Sequence, residues 1–129
     1  VSGGTALGRF AVVGTVAEAE AFCRATGVAT ATTLPLTYPM RWLAAPDIRA
    51  GLLDLVAGAE VVLVHESQSF AYAQPLHVDQ LYTLTVFARR EEAPDRVILE
   101  GTVIDAAGVE HAKIETILRL IAAPVEYAA

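Results

Sequence analysis

Residues 38–56 read YPMRWLAAPDIRAGLLDLV, and the fold turns on whether this stretch is a helix that the rest of the chain covers. Met40, Ala44, Ile48, Gly51 and Leu55 recur at spacings of four, four, three and four, which predicts a single apolar stripe on an α-helix. Trp42 and Leu53 lie off that stripe, so cover is expected on more than one side, from a sheet, a ligand or a second subunit. Pro46 predicts a break, because it disfavours an α conformation at Ala45 while suiting the first position of a new helical segment. Asp47 would then sit in that first turn, where a carboxylate gains about 0.3–1 kcal/mol from the helix dipole. Gly58 is the expected stop.

Upstream, LGRFAVV within Thr5–Val13 is extended in character and is closed by Gly14, predicting a first strand. Thr15 with Glu18 three residues later has the spacing of a capping box. Val16, Ala19, Phe22 and Cys23 give the short helix after it an apolar face, and Gly27 ends it. The segment VATATTLPLT, Val28 to Thr37, is β-branched and carries Pro35, so an extended loop packed on the body is expected.

Downstream the period changes to two. Glu60–Tyr72 opens with a Val-Val-Leu-Val run, the pattern of a strand buried on both faces. Tyr82, Leu84, Val86 and Ala88 share one face of Leu81–Arg89. Arg96–Ile104 alternates again, and Asp105, Ala106, Ala107 and Gly108 form a hairpin-like turn. In the last strand Ala112, Ile114, Thr116, Leu118 and Leu120 face one way, while His111, Lys113, Glu115 and Arg119 face the other. The tail PVEYAA is expected to fray.

At 129 residues the chain fits one domain, 1–129, with flexibility expected only in the first residues and in 124–129. Apolar residues at 54% against 19% charged argue against disorder, and no apolar run approaches the ~18 residues of a membrane span. A net charge of -6 with scattered basic residues argues against nucleic acid. The lone cysteine, Cys23, excludes an intrachain disulfide, and Val1–Phe10 lacks signal-peptide character. The expectation is a soluble, cytoplasmic protein. The three histidines are too dispersed for a metal signature, so no metal site is expected.

Strand, short helix, loop, long helix, then four strands is an α+β order. Its economical packing is an antiparallel sheet curled around the long helix, since each strand has one strongly apolar face. This is the hot-dog layout.

Three pieces of sequence carry a resemblance to a known family. AEAFCRATG (Ala19–Gly27) resembles its helix ending in Gly, and LPLTYPMRWL (Leu34–Leu43) is similar to its Pro-rich entry to the central helix. HESQSFAYAQPLHVDQLYTLTV (His65–Val86) is the most specific: Tyr72, Pro75, Leu76 and Asp79 match an aromatic, a Pro-hydrophobic pair and the Asp of a Gly-Asp, with Val78 in place of the Gly. Together they resemble the MaoC-like hydratase/dehydratase branch of the hot-dog superfamily over Gly14–Ile121, most closely its non-catalytic half-domains. The resemblance implies an acyl-thioester substrate on coenzyme A or acyl carrier protein. No separate cofactor is implied, since coenzyme A or phosphopantetheine is part of the substrate. Active members place an Asp and a His just after the first helix to activate water. Here Val28 stands where the Asp is expected, and no His, Asp, Glu or Lys occurs between Arg24 and Arg41. Val and Thr cannot hold a water and move its proton at neutral pH.

Other residues are weighed in that light. Asp47 is a candidate base, since some hot-dog thioesterases use a carboxylate on the central helix; the plain alternative is a dipole-stabilised carboxylate. Asp54, one heptad later, is expected to face solvent. His65 is a second catalytic candidate, against a histidine that hydrogen-bonds across the sheet; Glu66 beside it points to the opposite face unless a bulge intervenes. Tyr38, Arg41 and Trp42 are candidate substrate contacts, Trp42 along an acyl tunnel, with core packing as its alternative. Arg41 and Arg49 suit a phosphate of coenzyme A or a carboxylate, or else a surface ion pair. Ser67, Gln68 and Ser69 have no sharp turn to present a nucleophile.

The expectation is a hot-dog protein that binds acyl thioesters as the non-catalytic half of an enoyl-thioester hydratase/dehydratase. Alternatives are a thioesterase or variant hydratase using Asp47 or His65, and a non-enzymatic acyl-binding dimer. Unpaired sheet edges predict a homodimer or a heteromer with a catalytic hot-dog subunit.

Overall fold

The computed structural model describes residues 4–27, 32–56 and 61–122. In chain order they form β1 (Thr5–Val13), α1 (Val16–Thr26), α2 (Met40–Leu43), α3 (Pro46–Leu55), β2 (Val61–Tyr72), β3 (Leu81–Glu91), β4 (Arg96–Ile104) and β5 (Glu110–Ala122). The strands make one sheet of order β1-β3-β4-β5-β2 with every neighbouring pair antiparallel. Its two edges are therefore β1 and β2. The expected strand and helix order is the one found. Val28, Gly58, Glu60 and the PVEYAA tail lie outside the described residues.

The central helix is divided as Pro46 predicts. Ala45 is extended (φ -60, ψ 145) and Pro46 occupies the first turn of α3, where its missing N–H costs nothing. The division corrects the expected stripe. Of its five members only Ile48 is fully buried, while Met40 and Ala44 are exposed and Gly51 and Leu55 are half-buried. A 3.6-residue period holds only through an unbroken helix, so the joint re-phases the buried face. Tyr38, Trp42 and Leu43 are buried on the first limb; Ile48, Leu52 and Val56 are buried on the second. Trp42 has its expected cover, whereas Leu53 is exposed.

The helix limbs rest on a sheet face formed by Tyr82, Leu84, Val86, Ala88, Val97, Leu99, Val103, Ala112 and Ile114, all at most 2% exposed. Each large side chain fully buried there is worth about 1.5–3 kcal/mol. Gly101 lets the layers close: a Cβ there would stand 3.1 Å from Leu84 Cδ1 and 3.4 Å from Leu43 Cδ2.

The capping box forms, with the Glu18 N–H donating to Thr15 Oγ1 at 3.1 Å and the Thr15 N–H donating to Glu18 Oε1 at 3.3 Å. Gly27 closes α1 at φ 76. Asp79, at φ 58, takes the Val16 N–H on Oδ1 at 3.1 Å and donates its own N–H to Gly14 O at 2.8 Å. The start of β3 thereby holds the start of α1. In the described part of the loop before α2, Thr33 bridges His77 and the chain then turns over residues 36–39, with the Tyr38 N–H donating to Pro35 O at 3.0 Å, so the expected extended course does not run to Thr37.

Two expectations about strand faces are corrected. β2 is not buried on both faces: Val62 and Val64 are 48% and 41% exposed, because no described element packs on the outer face of β2 there. His111 does not face outward with Lys113. A register shift between Val103 and Ile104 places it at an irregularity of β5, and its ring is buried.

Candidate functional site

A groove of about 310 Å3 opens between the divided helix and the β2 side of the sheet. Leu43, Ala44, Leu52 and Leu53 form one wall, Leu63, Leu99 and Leu118 the other, and Met40 and Arg49, both exposed residues, also line it. The volume falls at the small end of ligand sites, about 300–1,000 Å3. Three polar side chains enter from the sheet: His65 and Gln68 of β2 and Thr116 of β5.

A bulge puts them together. His65 pairs with Leu118 and Ser67 with Ile117, so Glu66 is an extra residue in the β2–β5 ladder. Side chains on a regular strand alternate, and residues 65 and 68 would point to opposite faces. The extra residue restores the phase. His65 and Gln68 both reach the groove, with His65 Nε2 at 3.3 Å from Gln68 Oε1. The Thr116 hydroxyl donates to the same oxygen at 2.7 Å. Gln68 Nε2 is buried and has no hydrogen-bond partner among the described residues.

Glu66 turns away from His65. Its carboxylate pairs with Arg119 at 2.5 Å and Arg96 at 3.8 Å, both on the outer face. No Asp or Glu lines the groove among the described residues.

The other candidates lie elsewhere. Tyr38 and Trp42 are buried in a series of ring contacts running Phe22, Tyr38, Trp42, Tyr82, His111, with centroids 5.2–6.3 Å apart. Burial, followed by the charge of Glu18, pushes the Tyr38 phenol above its ordinary range. Arg41 stacks over the Tyr38 ring, 5.7 Å from its centroid. Asp47 is exposed in the first turn of α3, and Asp54 is exposed as expected. None of Asp47, Tyr38, Arg41 and Trp42 lines the groove. Gln68 and Thr116 are the groove-lining polar residues that sequence reasoning missed; the signal available was the polar run His65–Ser69 that breaks off the apolar start of the strand.

An Asp/His pair does exist, at the β4–β5 hairpin. Asp105 Oδ2 and His111 Nε2 are 2.9 Å apart, and His111 Nδ1 lies 2.9 Å from Pro75 O. Asp105 Oδ1 also takes the N–H groups of Ala107 and Val109. The His111 hydrogen bond, then the Val109 N–H, hold the Asp105 carboxyl below its ordinary range. Both ring nitrogens are engaged and neither residue lines the groove, so the pair fastens the hairpin to the β2–β3 connection. Among the described residues no three His, Cys, Asp or Glu side chains converge on a point, and no helix is long and apolar enough to cross a membrane.

No protein-family model matches the sequence, and no curated protein sequence matches it. Solved structures do match the fold. A hot-dog-like protein from Thermanaerovibrio acidaminovorans superposes with a TM-score of 0.70 at 16% identity, covering 98% of this chain and 88% of that one. A chain of the HadBC (3R-hydroxyacyl-ACP dehydratase) complex from Mycobacterium tuberculosis gives 0.68 at 16% identity, covering 89% and 94%. A 1,4-dihydroxy-2-naphthoyl-CoA thioesterase from Synechocystis gives 0.65 at 11% identity, covering 91% and 83%. The chain has the α+β hot-dog fold.

Proposed function

We propose that this chain is a MaoC-like hot-dog protein that binds acyl thioesters on coenzyme A or acyl carrier protein and serves as the non-catalytic half of an enoyl-thioester hydratase/dehydratase. The observation that carries the reading is the composition of the groove: apolar walls suited to an acyl chain, a histidine and, among the described residues, no carboxylate. Hydration of an enoyl thioester needs a base that holds water and a group that returns the proton. Among the described residues His65 hydrogen-bonds the uncharged amide oxygen of Gln68, which orients the ring but contributes no charge. A partner hot-dog subunit would supply the Asp and His, while this chain shapes the acyl pocket. Arg49, which lines the groove, would meet a phosphate of the carrier.

The twelve-residue edge strand β2, with Val62 and Val64 exposed, suits pairing with a second copy or with a homologous subunit. The groove lies beside that edge, so pairing there would bring partner residues to it. The similar HadBC dehydratase is itself a complex, and the similar thioesterase acts on a coenzyme A ester.

One observation favours a second reading. His65 is a titratable side chain in an acyl-sized groove, which suits a thioesterase or variant hydratase with His65 as base; Asp47, outside the groove, would serve only if the ligand extended over α3. A dimer that binds acyl groups without chemistry is the third.

The test follows trans-enoyl-CoA substrates of short and long chain with the purified chain alone, recording enone absorbance and free thiol in parallel. Silence in both, with retained acyl-CoA binding and activity on adding a catalytic hot-dog subunit that co-purifies, is the expected result. Free thiol would establish a thioesterase, and loss of absorbance alone a self-sufficient hydratase; either overturns the proposal.

A further inference from the structure

Three buried side-chain polar atoms have no hydrogen-bond partner among the described residues: Trp42 Nε1, Arg119 Nε and Gln68 Nε2. Of the three residues only Gln68 lines the groove. Its carboxamide is held from one side, since Oε1 takes the Thr116 hydroxyl at 2.7 Å and faces His65 Nε2 at 3.3 Å. With the oxygen committed to Thr116, the amide N–H groups are fixed in direction and left without an acceptor.

We propose that Gln68 is the specificity-determining donor of the groove, held in orientation by Thr116, and that it selects acyl ligands presenting an acceptor oxygen over plain alkyl chains. This deepens the acyl-thioester reading and rests on it. An unpaired buried N–H is unfavourable, and a ligand that brings an acceptor relieves the penalty. An alkyl chain brings none. A thioester carbonyl or a hydroxyl on the acyl chain brings one, and both share the chemistry the amide needs. The neighbouring walls, Leu63, Leu99 and Leu118, offer no competing hydrogen bond. Thr116 is a positioning residue: it touches Gln68, and without its hydroxyl the amide is free to rotate.

The experiment is equilibrium binding of three probes to the whole chain, together with any subunit that co-purifies: octanoyl-CoA, S-octyl-CoA, in which the carbonyl is a methylene, and 3-hydroxyoctanoyl-CoA. Each is measured on the wild type, Gln68→Met, Thr116→Val and Thr116→Ser. The wild type is expected to favour one oxygen-bearing probe over its oxygen-free counterpart by roughly tenfold. Octanoyl over S-octyl identifies the thioester carbonyl; 3-hydroxyoctanoyl over octanoyl identifies the chain hydroxyl. Gln68→Met should abolish that ratio, with far-ultraviolet circular dichroism and a cooperative melting transition showing that the variant is folded. Thr116→Val should reduce the ratio and Thr116→Ser should keep it, a rescue that a merely structural effect of the substitution would not give. Equal binding of all three probes by the wild type, or a ratio that survives Gln68→Met, overturns the assignment to Gln68 while leaving the acyl groove intact. Failure of the wild type to bind any probe removes the acyl-thioester reading, and this inference with it.

Discussion

His65 and Gln68 lie three residues apart on one strand, yet their side chains meet at 3.3 Å on the same face. The contact exists because Glu66 is inserted in the ladder with β5, and it is the smallest feature on which the whole groove depends.

Removing the Glu66 side chain and adding a residue beside it are therefore different experiments. Glu66→Ala breaks partly exposed ion pairs with Arg96 and Arg119 and should cost under about 1 kcal/mol. Inserting a second residue after Glu66 puts one half of β2 onto the wrong face. It should destabilise more than the substitution and abolish acyl-CoA binding. Urea midpoints and a binding isotherm compare the two.

Ile48 and Met40 share a stripe in the sequence but not in the protein, where Ile48 is 0% exposed and Met40 41%. Ile48→Ala is expected to cost about 2–5 kcal/mol, as a core truncation does, and Met40→Ala under about 1 kcal/mol. Similar losses in chemical denaturation would mean that the helix is continuous.

Asp105 makes stability depend on acid. Its folded carboxyl titrates below the ordinary value of 3.8, chiefly through the hydrogen bond with His111. The stabilisation is thus complete above the unfolded value and is lost as pH falls through the lowered folded value. Asp105→Asn should lower the melting temperature at neutral pH and flatten the acid limb of stability against pH. An acid limb as steep as that of the wild type would show that the pair is not formed.

The two catalytic candidates separate by binding. His65 lines the groove and Asp47 does not, so His65→Ala should weaken octanoyl-CoA binding while Asp47→Ala leaves it unchanged. With no turnover expected of the chain alone, neither substitution should alter a rate. A thioesterase rate lost in Asp47→Ala would reverse this assignment.

Pairing through β2 predicts that Val62→Lys with Val64→Lys, two exposed outer-face positions, yields a folded monomer by light scattering. A dimer that persists would point to the β1 edge instead.

Much of the fold was legible in the sequence because its punctuation is local. Thr15 and Glu18 cap one helix, Gly27 ends it, Pro46 divides the next, and the alternation at Tyr82–Ala88 and Ala112–Leu120 identifies the sheet face that the helix covers. The stripe through Met40 was misleading, since a helical period carries no information across a joint. The site was less legible still. An alternating strand does not announce which residue is extra, so nothing local places Gln68 beside His65; nor does the sequence of β5 reveal that the ring of His111 is drawn inward. Those relationships depend on pairing between segments some fifty residues apart, as Gln68 and Thr116 are.

The series of rings has an optical consequence. Trp42 is the sole tryptophan of the chain, buried with Tyr38 on one side at 5.9 Å and Tyr82 on the other at 6.3 Å. Light absorbed by either phenol passes to one indole, so the intrinsic emission of the whole protein reports on a single place: the seam where the first limb of the helix meets the sheet.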